Sequence, residues 1–392
     1  MKQLVRGTTE ERIRLPFLDG IRGLAALYVV FCHILPQQGE NLPLWISLPT
    51  KLIRYGSFSV AIFIVLSGYC LMLPVTRSQT GYIQGNLFHY FKKRARRILP
   101  PFYAAIIFCC VLALIILTLE RFTTFQWREV QYDWFSPHFS FLDVILHFLV
   151  IHNFAPGTDV YIINVPLWSV ALEWQIYFLF PLVFLPLLRR WGLLSVIAIA
   201  FLIGLTPHYL FNGYMNPSRP WFVGSFTIGM ASAEVAFSQQ PQLRKLNKSL
   251  PWGKLAGIFA GIAIIAEWKK FGVDAWVCET FASIAAACLI VYCTKIAIER
   301  KTPPLIMRVF EHPIAIALST FSYSLYLTHG PIETLINHWL VTLNMAPVMF
   351  AVTLYLLSVR ISLIFAYVFY LAFERPFMSG FLKKRKVKDV LS

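Results

Sequence analysis

The chain has 392 residues, of which 57% are hydrophobic, 16% aromatic and only 14% charged. A soluble domain carries roughly 25% charged residues, so this composition excludes a soluble globular protein and, equally, an intrinsically disordered one. The formal net charge is +16. On a soluble chain that would suggest nucleic acid. In a chain this apolar it marks cytoplasmic loops instead, and no nucleic-acid partner is expected.

The N-terminal MKQLVRGTTEERIR is polar and lacks the apolar centre of a cleaved signal peptide, so the first span is expected to target the chain itself. Apolar runs approaching the ~20 residues needed to cross a bilayer lie at 15–36, 57–75, 98–119, 166–188, 191–208, 219–237, 252–268, 275–297, 312–336 and 346–373. A further stretch at 141–153, FLDVILHFLVIHN, is shorter and carries Asp143, His147 and His152. Its length and polarity suit a re-entrant or interfacial helix.

The predicted fold is therefore an all-α polytopic transmembrane helical bundle of about ten spans, with both termini cytoplasmic. Basic residues support that orientation. Only Lys51, Arg54, Arg121, Arg128, Arg219, Lys269 and Lys270 fall in outer loops, with Arg360 inside the last span; every other Lys and Arg lies in an inner segment. Counting 141–153 as a full span would put the later basic loops outside. The C-terminal KKRKVK follows the last span and is expected to touch anionic lipid. The seven cysteines form no CxxC or zinc-type spacing, and no metal site is expected.

Ionisable groups within the spans are costly and usually functional. In the first span, LDGIRGLAALYVVFCHI, Arg22 and His33 are eleven residues apart. That is close to three helical turns, so both share one face, about 16 Å apart along the axis. Asp19 precedes Arg22 on the same side. A plain alternative is an Asp19–Arg22 pair at the interface, with His33 bonded to a neighbouring helix.

Before the third span stands FHYFKKRARRILPPFY, with Arg94 and Arg97 at i, i+3 on one face. Either these arginines anchor the cytoplasmic surface, or they bind the phosphates of a cytoplasmic ligand. Glu173 in PLWSVALEWQIYFLFPL is placed about two turns in from the outer end. Tyr326, His329 and Glu333 approach the outer end of the ninth span, and Arg360 in the last helix is a candidate partner for Glu173. His33, Glu173 and His329 are thus predicted to converge in the outer half. A cytoplasmic phosphate clamp and an outward-facing histidine suggest coenzyme A, whose long arm would carry a thioester inward. A histidine beside it would take the proton of an acceptor hydroxyl. No GxSxG or HExxH motif is present, so neither a serine nucleophile nor zinc is invoked.

These residues resemble the acyltransferase-3 family of integral-membrane O-acyltransferases over nearly the whole chain. The Arg-x10-His pattern is met by Arg22 and His33. The RxxR pattern is met by Arg94 and Arg97, followed by ILPPFY. The SGY turn is Ser67, Gly68 and Tyr69. PLWSVALE with Glu173, FSYSLYLTH with His329 and the closing FERPF with Glu374 complete the order.

The resemblance implies an acyl-CoA donor, usually acetyl-CoA, bound from the cytoplasm by Arg22, Arg94 and Arg97, with His33 catalytic. It implies a hydroxyl acceptor on a glycan or glycolipid, and a multi-pass location in a cell membrane, expected to be a bacterial cytoplasmic membrane. Residues 1–374 would be the transmembrane acyltransferase domain and 375–392 a basic cytoplasmic tail, a stand-alone form without the SGNH domain some members carry. Acylation of a small secondary metabolite such as a macrolide, or transport through the same polar residues, would use the same features.

Overall fold

The computed structural model describes residues 15–34, 42–78, 80–83, 85–128, 133–154 and 162–378. The described residues are mostly helical, with no strand among them. The N-terminal segment and the KKRKVK tail lie outside them.

Helices α1 (Pro16–His33), α2 (Leu44–Leu52), α3 (Gly56–Thr76), α4 (Leu87–Phe122), α5 (Phe141–Phe148), α6 (Leu167–Leu179), α7 (Leu185–Leu210) and α8 (Phe222–Phe237) form the first half. Helices α9 (Pro241–Ser249), α10 (Trp252–Ala266), α11 (Ala275–Ile298), α12 (Leu305–Phe310), α13 (Pro313–Ser319), α14 (Ser322–Val341) and α15 (Pro347–Phe369) form the second.

Among the described residues, five helical stretches are long and apolar enough to cross a membrane. These are Leu44–Thr76, Leu87–Phe122, Leu167–Leu210, Ala275–Ile298 and Pro347–Phe377. Helices α9 and α10, bent by 75°, make a sixth if the two count as one span. The chain is thus a membrane protein built of α-helices. Of the other expected spans, α8 has 16 residues, while α1 and α14 carry ionisable side chains. Helix α5 has eight residues, closed at its start by a Ser140/Asp143 capping box. At about 12 Å it is too short to cross the ~30 Å hydrocarbon core.

The stretch Leu167–Leu210 contains two legs. Its backbone breaks at Gly192 (φ 80°, ψ −178°), a conformation open to glycine and strained for other residues. Trp168 at the start stacks on Phe222 with centroids 6.1 Å apart, while Gly204 near the end sits against the Pro220 and Trp221 backbone. Both ends therefore meet the start of α8, and the two legs match the expected runs 166–188 and 191–208. Pro181, which has no N–H to donate, falls in a π-helical turn at Phe180–Phe184.

Helix α3 crosses α8 closely. A Cβ on Gly68 would stand 2.1 Å from the Phe226 carbonyl oxygen, and one on Gly229 would stand 2.1 Å from that of Val65. The two glycines let the backbones touch reciprocally, as small residues do in membrane helix pairs. The Ser67–Gly68–Tyr69 turn of the sequence is accordingly an in-helix contact point within α3.

Helices α14 and α15 form a hairpin. Segments before and after the 141–153 stretch fold along α14. Trp134 N–H donates to Thr334 Oγ1 at 3.0 Å, Asn164 Nδ2 donates to the Leu327 carbonyl at 2.8 Å, and His338 Nε2 meets Asp133 Oδ2 at 2.9 Å.

Candidate active site

Two polar centres lie along α1, one at each end. At the start of α1 is a cavity of about 120 Å³ lined by Arg22, Arg94, Arg97, Ser67, Glu173 and Tyr177, and also by Phe63, Ser169 and Tyr326. Helical geometry sorts the basic run of α4. Arg94 and Arg97 line the cavity, whereas Lys92, Lys93 and Arg96 do not.

The Arg94 guanidinium lies 5.9 Å from the Tyr90 ring centre and 5.8 Å from that of Tyr177, and its buried Nε has no hydrogen-bond partner. Arg22 is held by Asp19, Nη1 to Oδ1 3.4 Å, with Asp19 itself largely exposed. The carboxylates of Glu173 and Glu374 both act electrostatically on groups at this end. Glu374, presented by a π-helical turn at the end of α15, accepts from Ser324 Oγ at 2.6 Å.

Glu173 belongs to this cavity. Its Oε1 accepts from Tyr177 Oη at 2.5 Å, and Tyr177 Oη in turn meets Ser67 Oγ at 3.0 Å. It lies with the arginines and not with the histidines, in contrast to the convergence expected from its depth in the sequence. Arg360 is exposed on α15 and does not line the cavity, so the expected pairing of Arg360 with Glu173 is not formed. Depth counted along one helix gives no azimuth, and the azimuth turns Glu173 toward the arginines.

The second centre is a histidine pair. His33 Nδ1 and His329 Nε2 are 2.9 Å apart, although 296 residues separate them in the chain. His329 Nδ1 lies 3.0 Å from the Leu325 carbonyl oxygen. A carbonyl only accepts, so His329 Nδ1 carries the proton, and the neutral ring presents Nε2 as an acceptor. Neutral His33 must then donate through Nδ1–H, which leaves His33 Nε2 as a free basic lone pair. Trp134 fixes the His33 ring from the other side. Its indole stacks on the imidazole at 3.8 Å and 12°, and its Nε1–H donates to the His33 carbonyl at 2.7 Å.

Tyr326 links the two centres. Its hydroxyl meets Ser169 Oγ, another lining residue of the cavity, at 2.6 Å, and its ring centre lies 5.9 Å from that of His329.

Sequence reasoning missed Trp134 and Tyr177. Trp134 sits in a connecting segment with no apolar periodicity to mark it, and Tyr177 is one aromatic among many. Among the described residues no group of three His, Cys, Asp or Glu side chains stands close enough to hold a metal.

An arginine-lined pocket and a histidine pair thus lie close together among apolar helices, the arrangement of a membrane enzyme. The family model for the acyltransferase domain of the acyltransferase-3 type matches residues 15–371, and the chain belongs to that family. It is 23% identical over 397 residues to the O-acetyltransferase OatA of Staphylococcus aureus strain NCTC 8325 / PS 47, and equally to OatA of strain COL. Each match covers 95% of this chain and 59% of the relative, so the chain spans about three-fifths of the length of these relatives. No solved structure matches it.

Proposed function

We propose that the protein is a multi-pass membrane O-acetyltransferase. It moves an acetyl group from acetyl-CoA, taken up at the cytoplasmic face, to a hydroxyl of a surface glycan or glycolipid. The observation that carries this reading is the shared residue between the two centres: Tyr326 lines the arginine-lined cavity, and its ring centre lies 5.9 Å from that of His329. The family membership and the O-acetyltransferase relatives support the same chemistry.

Arg22, Arg94 and Arg97 take the phosphates of the donor. The partnerless Arg94 Nε between two tyrosine rings suits an anionic ligand. The arginine end then faces the cytoplasm, in keeping with the inner basic segments of a ten-span chain and a bacterial cytoplasmic membrane. Glu173 and Tyr177 set the position of the donor arm, while Asp19 steadies Arg22.

His33 Nε2 accepts the proton of the attacking hydroxyl as its oxygen bonds to the thioester carbonyl carbon. Collapse of the tetrahedral adduct breaks the C–S bond, and the thiolate leaves with that proton as free CoA thiol. His329 holds His33 in the tautomer this needs. General-base assistance of this kind is worth roughly 10²–10⁴-fold.

The test is mass spectrometry of surface glycans and lipids from cells carrying the wild type or His33→Ala. One defined species should lose a single acetyl increment in the variant. Identical profiles at equal protein level, together with no thermal stabilisation of the purified chain by acetyl-CoA, overturn the reading.

A further inference from the structure

The outer half of the α14–α15 hairpin carries polar groups that the chemistry above does not use. Glu333 is 3% exposed, and neither of its carboxyl oxygens has a hydrogen-bond partner. Asn337 Oδ1, one turn further along α14, is also partnerless, as are Tyr355 Oη and Ser358 Oγ on α15. Glu333 lies within electrostatic reach of both Cys32 and Tyr355. Leaving one buried polar group unsatisfied costs roughly 1–3 kcal/mol, so a cluster of them on two facing helices calls for a ligand.

The placement points to the acceptor side. Glu333 follows His329 at i+4, on the same face of α14 and about 6 Å further along the axis. Cys32, its neighbour on α1, is adjacent in sequence to His33. Glu333 and Tyr355 both stand eight residues from the connection between α14 and α15, so the hairpin sets them at one depth. Glu333 and Asn337 carry three partnerless oxygens, and Tyr355 and Ser358 on α15 add two partnerless hydroxyls. Hydroxyl groups, which both donate and accept, complete such a set.

We infer that Glu333, with Asn337 and Tyr355, forms the acceptor subsite of this enzyme and binds two neighbouring hydroxyl groups of a polyhydroxyl acceptor beside His33. The inference rests on the transferase reading. It adds that the acceptor is recognised through hydroxyls next to the one acylated, as in a sugar ring, which a mono-alcohol cannot supply.

The experiment uses the full chain in cells and after purification, with Glu333→Leu, Glu333→Gln and His33→Ala beside the wild type. Leucine removes an unpaired buried carboxyl and so leaves the fold at least as stable. Glu333→Leu should accumulate normally and keep its thermal stabilisation by acetyl-CoA. Acetate released by mild base from the cell-surface fraction should nevertheless fall about ten-fold, the loss of the hydrogen bonds that hold the acceptor. Glu333→Gln, which keeps two polar atoms, should lose less.

Wild-type acetate release by Glu333→Leu, with release abolished in His33→Ala, overturns the subsite and leaves the transferase reading standing. Loss of acetyl-CoA stabilisation in Glu333→Leu also overturns it, since the residue then serves the donor or the fold. If Glu333→Leu does not accumulate, full release by Glu333→Gln overturns the subsite by itself. Absence of base-labile acetate in wild-type cells overturns both readings together.

Discussion

At the scale of single residues, the roles separate by which substrate a change affects. His33→Ala should cut transfer by about 10²–10⁴-fold while the chain still inserts and still binds acetyl-CoA, as checked by a turnover assay beside a thermal shift. His329→Ala should lower the turnover number and leave the apparent affinity for acetyl-CoA unchanged, because His329 acts on the His33 tautomer through the 2.9 Å contact. A parallel change in affinity would make His329 part of the donor site instead. Arg94→Ala combined with Arg97→Ala should weaken donor affinity by about ten-fold or more, since a hydrogen bond to a charged group is worth roughly 1.5–3 kcal/mol. Titration with acetyl-CoA measures this; unchanged affinity would return both arginines to membrane anchoring.

At the scale of elements, the α3–α8 crossing determines where Ser67 stands. Gly68 and Gly229 each meet a backbone carbonyl of the other helix at a distance no side chain could occupy. Gly229→Ala should therefore push the helices apart and destabilise the chain by about 1–3 kcal/mol, read as a lowered unfolding temperature in detergent. Because Ser67 contacts Tyr177, which holds Glu173, the same substitution should also weaken acetyl-CoA binding without touching the donor directly. Lower stability with unchanged donor affinity would show that the crossing is only a packing contact. Much at this scale was legible in the sequence. The RxxR pattern singled out Arg94 and Arg97 within a longer basic run, and both line the cavity. The interruption between residues 188 and 191 falls beside Gly192. The short, polar 141–153 stretch yields an eight-residue helix. Glu173 was not legible in the same way, because helical spacing gives relative faces within one helix and says nothing of which neighbour a face meets.

At the scale of the molecule, donor binding and sidedness are the testable quantities. Acetyl-CoA at about a hundred times its dissociation constant should stabilise the folded chain by roughly 2.7 kcal/mol, a shift that thermal unfolding reports and that a protein without a donor site would not show. For a cytoplasmic arginine end, a cysteine at Arg96 should react with an impermeant thiol reagent only from inside, and one at Asn344 only from outside. Labelling from the opposite sides would invert the orientation argued from the basic loops.

The sequence by itself determined the class of the protein. Its composition excluded a soluble fold, and the ordered motifs around Arg22, His33, Arg94 and Arg97 carried the family resemblance, because such features are local or additive along the chain. Only the tertiary structure decided which of these residues meet. His33 and His329 pair across 296 residues, Trp134 reaches the imidazole from a connecting segment, and Glu173 turns to the arginines. Such contacts depend on how helices rotate and pack against one another, and that is fixed by steric fits such as Gly68 on Phe226, not by periodicity within any one helix.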